Sequence, residues 1–597
     1  MMPMGAAILD KGKQQISFRV FAHNKSGVDL VLSVGGTERV LPMNLERADV
    51  YSLTVEGLGL DLLYKFRLPG EGDFPDPYSG FQPFGVHGFS QVVDHASYTW
   101  NDTGWKGQDQ EKFIIYELHV GSFTPQGVFS AAGDRLDYLL ELGVNTIEVM
   151  PVAQAPGRWN WGYDGVFPFS VNHNYGSPED FRRLVDRCHQ KGIGVLLDVV
   201  YNHLGPEGNY LPRFGPYFTD KYQTPWGAAL NYDDVFSGYT RRLVLDNVAH
   251  WLENYHLDGL RLDAVHAIID RSEPHILKEI ASTARDLEKR LGRRLVIVAE
   301  TDENRSQLIS PEDRGGYGIH AQWLDDFHHC IHTVMTGEDS GYYADYGRIE
   351  GFEKVFRNYL YTGEYSAFWK KPRGTDGSAN PGKQFVVATQ THDQVGNRAK
   401  GERLSHLVGF RMAKVAAGLV MISPYLPMLF MGEEYAEKKP FLFFSDFTDP
   451  VLKKAVSEGR RKEFSQFNWE EVPDPQDEET FCRSKLTPRE EWDEQNRLMF
   501  SFYRDLIKLR KTHPVLKELD KRRLSVRVDR ERRFIGVSRW NEKRQVMAWF
   551  NLGREELPLA GNGDRTLLHS DWEEYGGSVK GEASALAPGA FVILEVD

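Results

Sequence analysis

The sequence predicts a multidomain α/β protein: a (β/α)8 TIM barrel flanked by an N-terminal β-sandwich and a C-terminal all-β domain. Three observations carry this. Between residues 101 and 520, eight short apolar segments alternate with amphipathic helical stretches, the pattern of parallel strands joined by crossover helices. Residues 1–100 instead hold short strands separated by turns, as a small sandwich requires. From 521 to 597 the all-β texture returns in RFIGVSRW, RQVMAWFNL and FVILEVD. A chain of 597 residues is also too long for one core.

Taken in order, ISFRVFAH (16–23) and VDLVLSV (28–34) alternate or run apolar, and LLYKFRL (62–68) follows a Gly-rich turn. DFPDPYSGFQPFG, rich in Pro and Gly, is a connector. FIIYELHV (113–120) is the first buried strand and ends on Glu117 and His119; NTIEVMP (145–151) is the second. A helix over 177–191 has Ser177 as N-cap, Pro178 at its first position, Glu179 and Asp180 in its first turn and Gly192 past its end. Its inner stripe is Phe181, Leu184, Val185 and Cys188. GVLLDVVYNH (194–203) is continuously apolar at its start, as in a parallel sheet covered on both faces. DGLRLDAVH (258–266) precedes a helix bearing Ile276, Ile280, Leu287 and Leu291. LVIVAET (295–301), HAQWLDDF (320–327), QFVVATQTHD (384–393) and PMLFMGEE (427–434) complete the eight. The longest irregular insertion is read as 204–240, after the third strand and rich in Pro, Gly and Tyr. A doubly wound sheet is the alternative, but no Gly-rich phosphate turn follows the first strand.

Composition narrows the function. A formal charge of −14 argues against nucleic acid or an anionic membrane as partner and suits a neutral substrate. No run approaches about 18 uninterrupted apolar residues, so no membrane span is expected, and MMPMGAAILDKGKQQ lacks the basic and apolar regions of a signal peptide. Cys188, Cys330 and Cys482 are scattered and odd in number, which points to a reducing cytoplasm and offers neither a disulfide framework nor a zinc pattern. The 13 Trp and 26 Tyr are compatible with sugar-stacking surfaces, although core packing accounts for most of them.

In a barrel of this kind the active site lies at the C-terminal strand ends. Those ends read Glu117 and His119, Asp198, Asn202 and His203, Arg261 and Asp263, Glu300, and His392 with Asp393. One Asp at a strand end is usually a cap or turn residue. Five strands converging on ionisable groups point to function, because a desolvated carboxylate cluster is costly. Asp263 and Glu300 are separated by one βα unit and so fall on adjacent strands. Neighbouring strands lie about 4.8 Å apart, which suits the roughly 5–5.5 Å carboxyl separation of a retaining glycosidase. Arg261, two residues before Asp263, shares its side of the strand and keeps it ionised. Glu300 follows the apolar run LVIVA, where burial raises its pKa and suits it to donate a proton. A purely structural Arg–Asp–Glu network would explain these charges but not the gathered histidines and Asn202.

DVVYNH (198–203), GLRLDAVH (259–266), IVAET (297–301) and THDQ (391–394) resemble the four short sequence regions of the α-amylase superfamily of glycoside hydrolases, in the right order. FRVFAH (18–23) resembles the N-terminal sandwich of its branching and debranching members. Stretches beyond those regions, NWGYDGVFPFSV, FGPYFTDKYQTPWG, AQWLDDFHH and VPDPQDEETFCRSKL among them, resemble a trehalose-releasing subfamily. AETD stands where that subfamily carries AESD, so Thr301 is a local departure that leaves fold and reaction class untouched.

The resemblance implies that Asp263 is the nucleophile, Glu300 the acid/base and Asp393 the third acid. It implies that His392 and Asp393 bind the 2- and 3-hydroxyls of a distorted glucose, His203 its 6-hydroxyl, and Tyr163 its ring, with Asp164 beside it. Asp198 would brace Arg261, and His266 would face the leaving group. Trp159, Trp161, Trp226 and Trp323 are equally subsite or packing aromatics. Asn202 matches a calcium-ligating position of many amylases; the subfamily generally lacks that ion, so no metal and no cofactor are expected. The implied substrate is maltooligosyltrehalose, an α-1,4-glucan. A glycogen branching enzyme and a non-catalytic glucan-binding protein are the alternatives, the second disfavoured because all three acids are present.

Overall fold

The computed structural model describes residues 3–47, 49–465, 472–559 and 565–596. Eight parallel strands close into a barrel in chain order: β1 (Ile115–Leu118), β2 (Thr146–Val149), β3 (Gly194–Val199), β4 (Gly259–Leu262), β5 (Val296–Ala299), β6 (Ala321–Trp323), β7 (Phe385–Ala388) and β8 (Leu426–Phe430). All are buried along their length, which is why they read as unbroken apolar runs.

The barrel lumen changes character with height. Its lower half is filled by Ile115, Leu196, Val296, Val298, Trp323, Val386 and Met428. One layer higher, Glu117, Glu148, Asp198 and Arg261 are buried in their place. On β1 and β3, which contribute to both, Glu117 follows Ile115 and Asp198 follows Leu196 by two residues, so period-two alternation keeps them on the inner face and the charged layer rests on an apolar floor.

The outer helices are capped as their sequences require. In Pro178–Gln190, Ser177 and Asp180 form a reciprocal capping box, Ser177 Oγ accepting from the Asp180 amide at 3.2 Å. Ile276–Leu291 buries Ile276, Ile280 and Leu287. Leu404–Ile422 is long and apolar enough to cross a membrane by composition, but Ala413–Ile422 is buried in the protein, with Gly418 against Phe550 and Phe591.

The N-terminal module is a sandwich of two antiparallel sheets. One has the order Gly5–Asp10, Gln15–Phe21, Val50–Val55, Asn44–Arg47; the other runs Thr37–Pro42, Asp29–Val34, Leu63–Leu68, Gly72–Phe74. At the other end, a five-stranded antiparallel sheet begins at Leu524 and closes with Ala590–Val596.

Three expectations need correction. The strands stop earlier than their apolar runs suggest, β3 at Val199 and β7 at Ala388, because the chain turns there to bring polar groups over the barrel mouth. The insertion after β3 ends before 240, since the helix Ser237–Asn254 begins inside that stretch; it holds the hairpin Phe218–Thr224 and Gly227–Leu230. Nor is it the longest: 337–384, between the helix after β6 and β7, is longer and contains only short elements.

Candidate active site

The central group is Arg261, fully buried on β4. Its Nη1 donates to both carboxylate oxygens of Asp198, at 2.9 and 2.8 Å, and to Asp263 Oδ1 at 2.8 Å. Its Nη2 lies 3.6 Å from Glu300 Oε2, and the guanidinium stacks on Trp323 at 4.3 Å. Parallel register pairs Arg261 with Val298 and Leu262 with Ala299. Asp263 and Glu300 are the next step of that ladder, so two adjacent strands deliver them side by side.

Their environments differ. Burial opposes ionisation of Asp263, but Arg261, His203 and a hydrogen bond from Asn202 outweigh it and hold the carboxyl below its usual range. Asn202 Nδ2 donates to Asp263 Oδ2 at 2.7 Å and to its carbonyl at 3.0 Å, so the position matched to a calcium ligand braces a carboxylate here. Burial raises Glu300, opposed by Arg261 and reinforced by Asp263. The Ala264 amide donates to Glu300 Oε2 at 2.6 Å. A carboxyl pushed toward its ionised form thus stands beside one pushed toward its protonated form, the bias that attack and proton donation at one glycosidic bond require.

His392 and Asp393 belong not to a strand end, as expected, but to the first turn of a short helix, His392–Gly396, capped by a Thr391–Gln394 box. The cap aims both side chains at the cavity. Glu117 on β1 receives the His392 amide at 3.0 Å and pairs with Nδ1 of the ring. Burial lowers His392, yet the Glu117 carboxylate more than offsets it and its pKa is raised. Nε2 lies 2.8 Å from the Tyr163 hydroxyl, which donates to Asp198 Oδ2 at 2.7 Å. Asp393 is exposed to the cavity and accepts from Asn397 at 2.5 Å. Gly396 has no side chain because Trp161 lies against it: a Cβ there would meet the indole at 2.0 Å.

These groups line a cavity of about 490 Å³ at the barrel mouth, which brings together Tyr163, His203, Arg261, Asp263, His266, Glu300, His392 and Asp393. Asp198 is buried under Arg261 and Tyr163. Asp164 does not reach the cavity; it accepts from Asn160 at 2.7 Å, behind Tyr163. His203 presents its ring to the cavity, with Nε2 3.0 Å from the Tyr163 carbonyl and Nδ1 against Asn202. His266 sits 3.9 Å from Asp302. Thr301 Oγ1 accepts from the Glu303 amide at 3.1 Å, a turn contact that serine makes equally well.

The four tryptophans divide. Trp161 and Trp226 line the cavity, Trp226 stacking on His203 at 4.9 Å from the β3 insertion. Trp323 lies under Arg261, and Trp159 is sandwiched by Phe481 and Arg158. The cavity wall also holds Tyr342, Tyr346, Phe368, Trp369 and Arg373 from 337–384, together with Asp302 and Asp325. None of these was read from the sequence. The aromatic pair Phe368–Trp369 in a Gly- and Lys-rich stretch was the available signal.

The fold and this site define a glycosidase of the α-amylase class. The α-amylase catalytic domain model matches residues 102–224, and carbohydrate-binding module 48 (isoamylase N-terminal domain) matches 3–79. The malto-oligosyltrehalose trehalohydrolase of Saccharolobus solfataricus is 44% identical over 499 residues, 83% of this chain and 85% of that protein. That of Mycobacterium tuberculosis is 42% identical over 566 residues, 93% and 95% of the two. A Salmonella typhimurium crystal structure described as an α-amylase superposes with a TM-score of 0.91 at 38% identity over the full length of both chains. A Bacillus caldolyticus 1,4-α-glucan branching enzyme is more distant, 29% identical over 61% of this chain and 55% of its own. The chain belongs to the malto-oligosyltrehalose trehalohydrolase family.

Proposed function

We propose that this protein hydrolyses the α-1,4-glucosidic bond next to the trehalose end of maltooligosyltrehalose, releasing trehalose and a maltooligosaccharide. The observation that carries the chemistry is the pair of adjacent-strand carboxyls around Arg261, one with its pKa held down and the other with its pKa pushed up. Asp263 attacks the anomeric carbon while Glu300 gives its proton to the departing glycosidic oxygen. Water, deprotonated by Glu300, then resolves the glycosyl-enzyme. His392 and Asp393 hold the 2- and 3-hydroxyls of the reacting glucose, and Tyr163 underlies its ring. His203 borders its 6-hydroxyl side, and His266 faces the leaving group. The family relatives support trehalose as the leaving group.

The protein then works in trehalose biosynthesis. A cytoplasmic setting is supported by its free cysteines, two of them buried.

Product analysis on maltooligosyltrehalose beside the matching maltooligosaccharide tests the proposal. Free trehalose from the first with little cleavage of the second is expected. Equal cleavage of both reduces the protein to a general amylase, and new α-1,6 branches without trehalose make it a branching enzyme.

A further inference from the structure

One cavity carboxyl has no counter-charge among the described residues. Strand β6 leads directly into the helix Asp325–Thr336, with Asp325 and Asp326 in its first turn. The two neighbours are used differently. Asp326 is fully buried and accepts from Asn304 at 2.7 Å, the Tyr346 hydroxyl at 2.5 Å and the Leu360 amide at 2.6 Å, with Arg373 at 3.8 Å. It ties the barrel to the 337–384 insertion. Asp325 instead lines the cavity with His266, Glu300, Asp302 and Asp393. Among the described residues, no side chain donates to its carboxyl or forms an ion pair with it.

We infer that Asp325 is a substrate-binding acid whose carboxyl O–H donates a hydrogen bond to a hydroxyl of the leaving-group sugar, beside the oxygen that Glu300 protonates. This rests on the hydrolase reading above. A helix N-terminus favours negative charge, yet the groups facing Asp325 oppose it. Glu300 and Asp302 approach from the end of β5, Asp393 and Tyr342 from the far wall, and Asp326 and His329 from its own helix. Burial, then Glu300, Asp302 and Asp393, push its carboxyl well above the usual range. Burial also holds His329 neutral, its pKa pushed down to about 3, so that ring brings no compensating charge. Sugar hydroxyls need donors as well as acceptors, and ionised carboxylates can only accept. A neutral acid set among Glu300, Asp302 and Asp393 adds a donor at that carboxyl-rich side of the cavity, as protonated carboxyls do in other catalytic sites.

The test compares Asp325→Asn, which keeps a donor of the same shape, with Asp325→Ala, which removes it. The readouts are kcat/KM for trehalose release from maltooligosyltrehalose and the melting temperature. Asn should stay within about tenfold of the parent and Ala should fall about a hundredfold, the range for losing one buried hydrogen bond to substrate. Should the Ala chain fail to fold, Asp325→Leu, matched to Asn in size without its donor, takes its place. Asn falling as far as Ala would mean an ionised carboxylate is needed and overturns the inference. So does an unchanged kcat/KM in Ala with a lowered melting point, which would reduce Asp325 to a helix-terminus charge. A parent protein that releases no trehalose sinks the hydrolase reading instead; an active parent without this pattern sinks only the role of Asp325.

Discussion

Two carboxyls within reach of one guanidinium are driven in opposite directions here. Asp263 is held directly by Arg261 and Asn202 and titrates low; Glu300 sits farther from the guanidinium, feels the Asp263 charge and titrates high. Replacing Asp263 with Asn should cost about 10⁴-fold or more in kcat with an unchanged melting temperature; substantial residual turnover would sink its assignment as nucleophile. Arg261→Lys tests the cause of its ionised state. A lysine is a point charge and does not span Asp198, Asp263 and Glu300 together. Asp263 must be deprotonated to attack, and its lowered pKa puts the acid limb of kcat/KM below its ordinary value of 3.8. In the Lys variant that limb should move to higher pH; an unmoved limb would show that Asn202 and His203 suffice. Among the described residues Asp393 forms no ion pair; it accepts from Asn397 and is open to the cavity, so its role leans on family likeness more than the other two.

Neighbouring strands set one more pair. Glu117 on β1 and Glu148 on β2 are directly in register in the lumen. Glu117 is spent on His392, whereas among the described residues one oxygen of Glu148 has no hydrogen-bond partner. Burial first, then the Glu117 charge, raise Glu148 well above the usual carboxyl range. A raised folded-state value means that Glu148 favours folding while protonated. Its contribution is whole below the ordinary value of 4.5 and declines as pH climbs toward the folded-state value. Glu148→Gln, a neutral match in shape, should therefore gain melting temperature over the parent progressively as pH rises above 4.5. Parallel melting curves across that range would mean that Glu148 is solvated or paired after all.

The N-terminal sandwich reaches the site through a chain of aromatic contacts. Phe21 packs edge-on against Tyr217 of the β3 insertion at 6.0 Å and stacks on Tyr239, in the helix that follows it, at 3.4 Å; Phe66 and Phe74 pack on Phe214, and the His23 amide donates to the Phe214 carbonyl at 2.7 Å. These contacts hold the β3 insertion that carries Trp226 over His203. Phe21→Ala should cost about 3–5 kcal/mol in stability and raise KM with little change in kcat, read by thermal melts and steady-state kinetics. A lower melting point with KM unaltered would make the module a support for the barrel alone.

The eight strands were legible because burial on both faces writes itself locally, as continuous apolar runs, and the Asp263–Glu300 partnership followed from one βα unit of spacing. The pairing of Arg261 with Asp263 was equally local, two residues along one strand. Asp393 reads as a strand end from the apolar run before it, whereas the Thr391–Gln394 cap, an equally local signal, marks a helix start. The wall formed by 337–384 had no comparable signature. Whether Tyr342, Phe368 and Trp369 face the cavity or solvent depends on where the loop folds back, and Asp326, with its bonds to Asn304, Tyr346 and Leu360, makes that choice through contacts distant in sequence. Trp323 and Trp159 were undecided for the same reason: an indole stacks as well on a guanidinium or a phenyl ring as on a sugar, and packing chose the former. The Asp263–Glu300 pair rests on strand periodicity, so its juxtaposition could be read from the chain, whereas the shape of the cavity rests on long-range packing and could not.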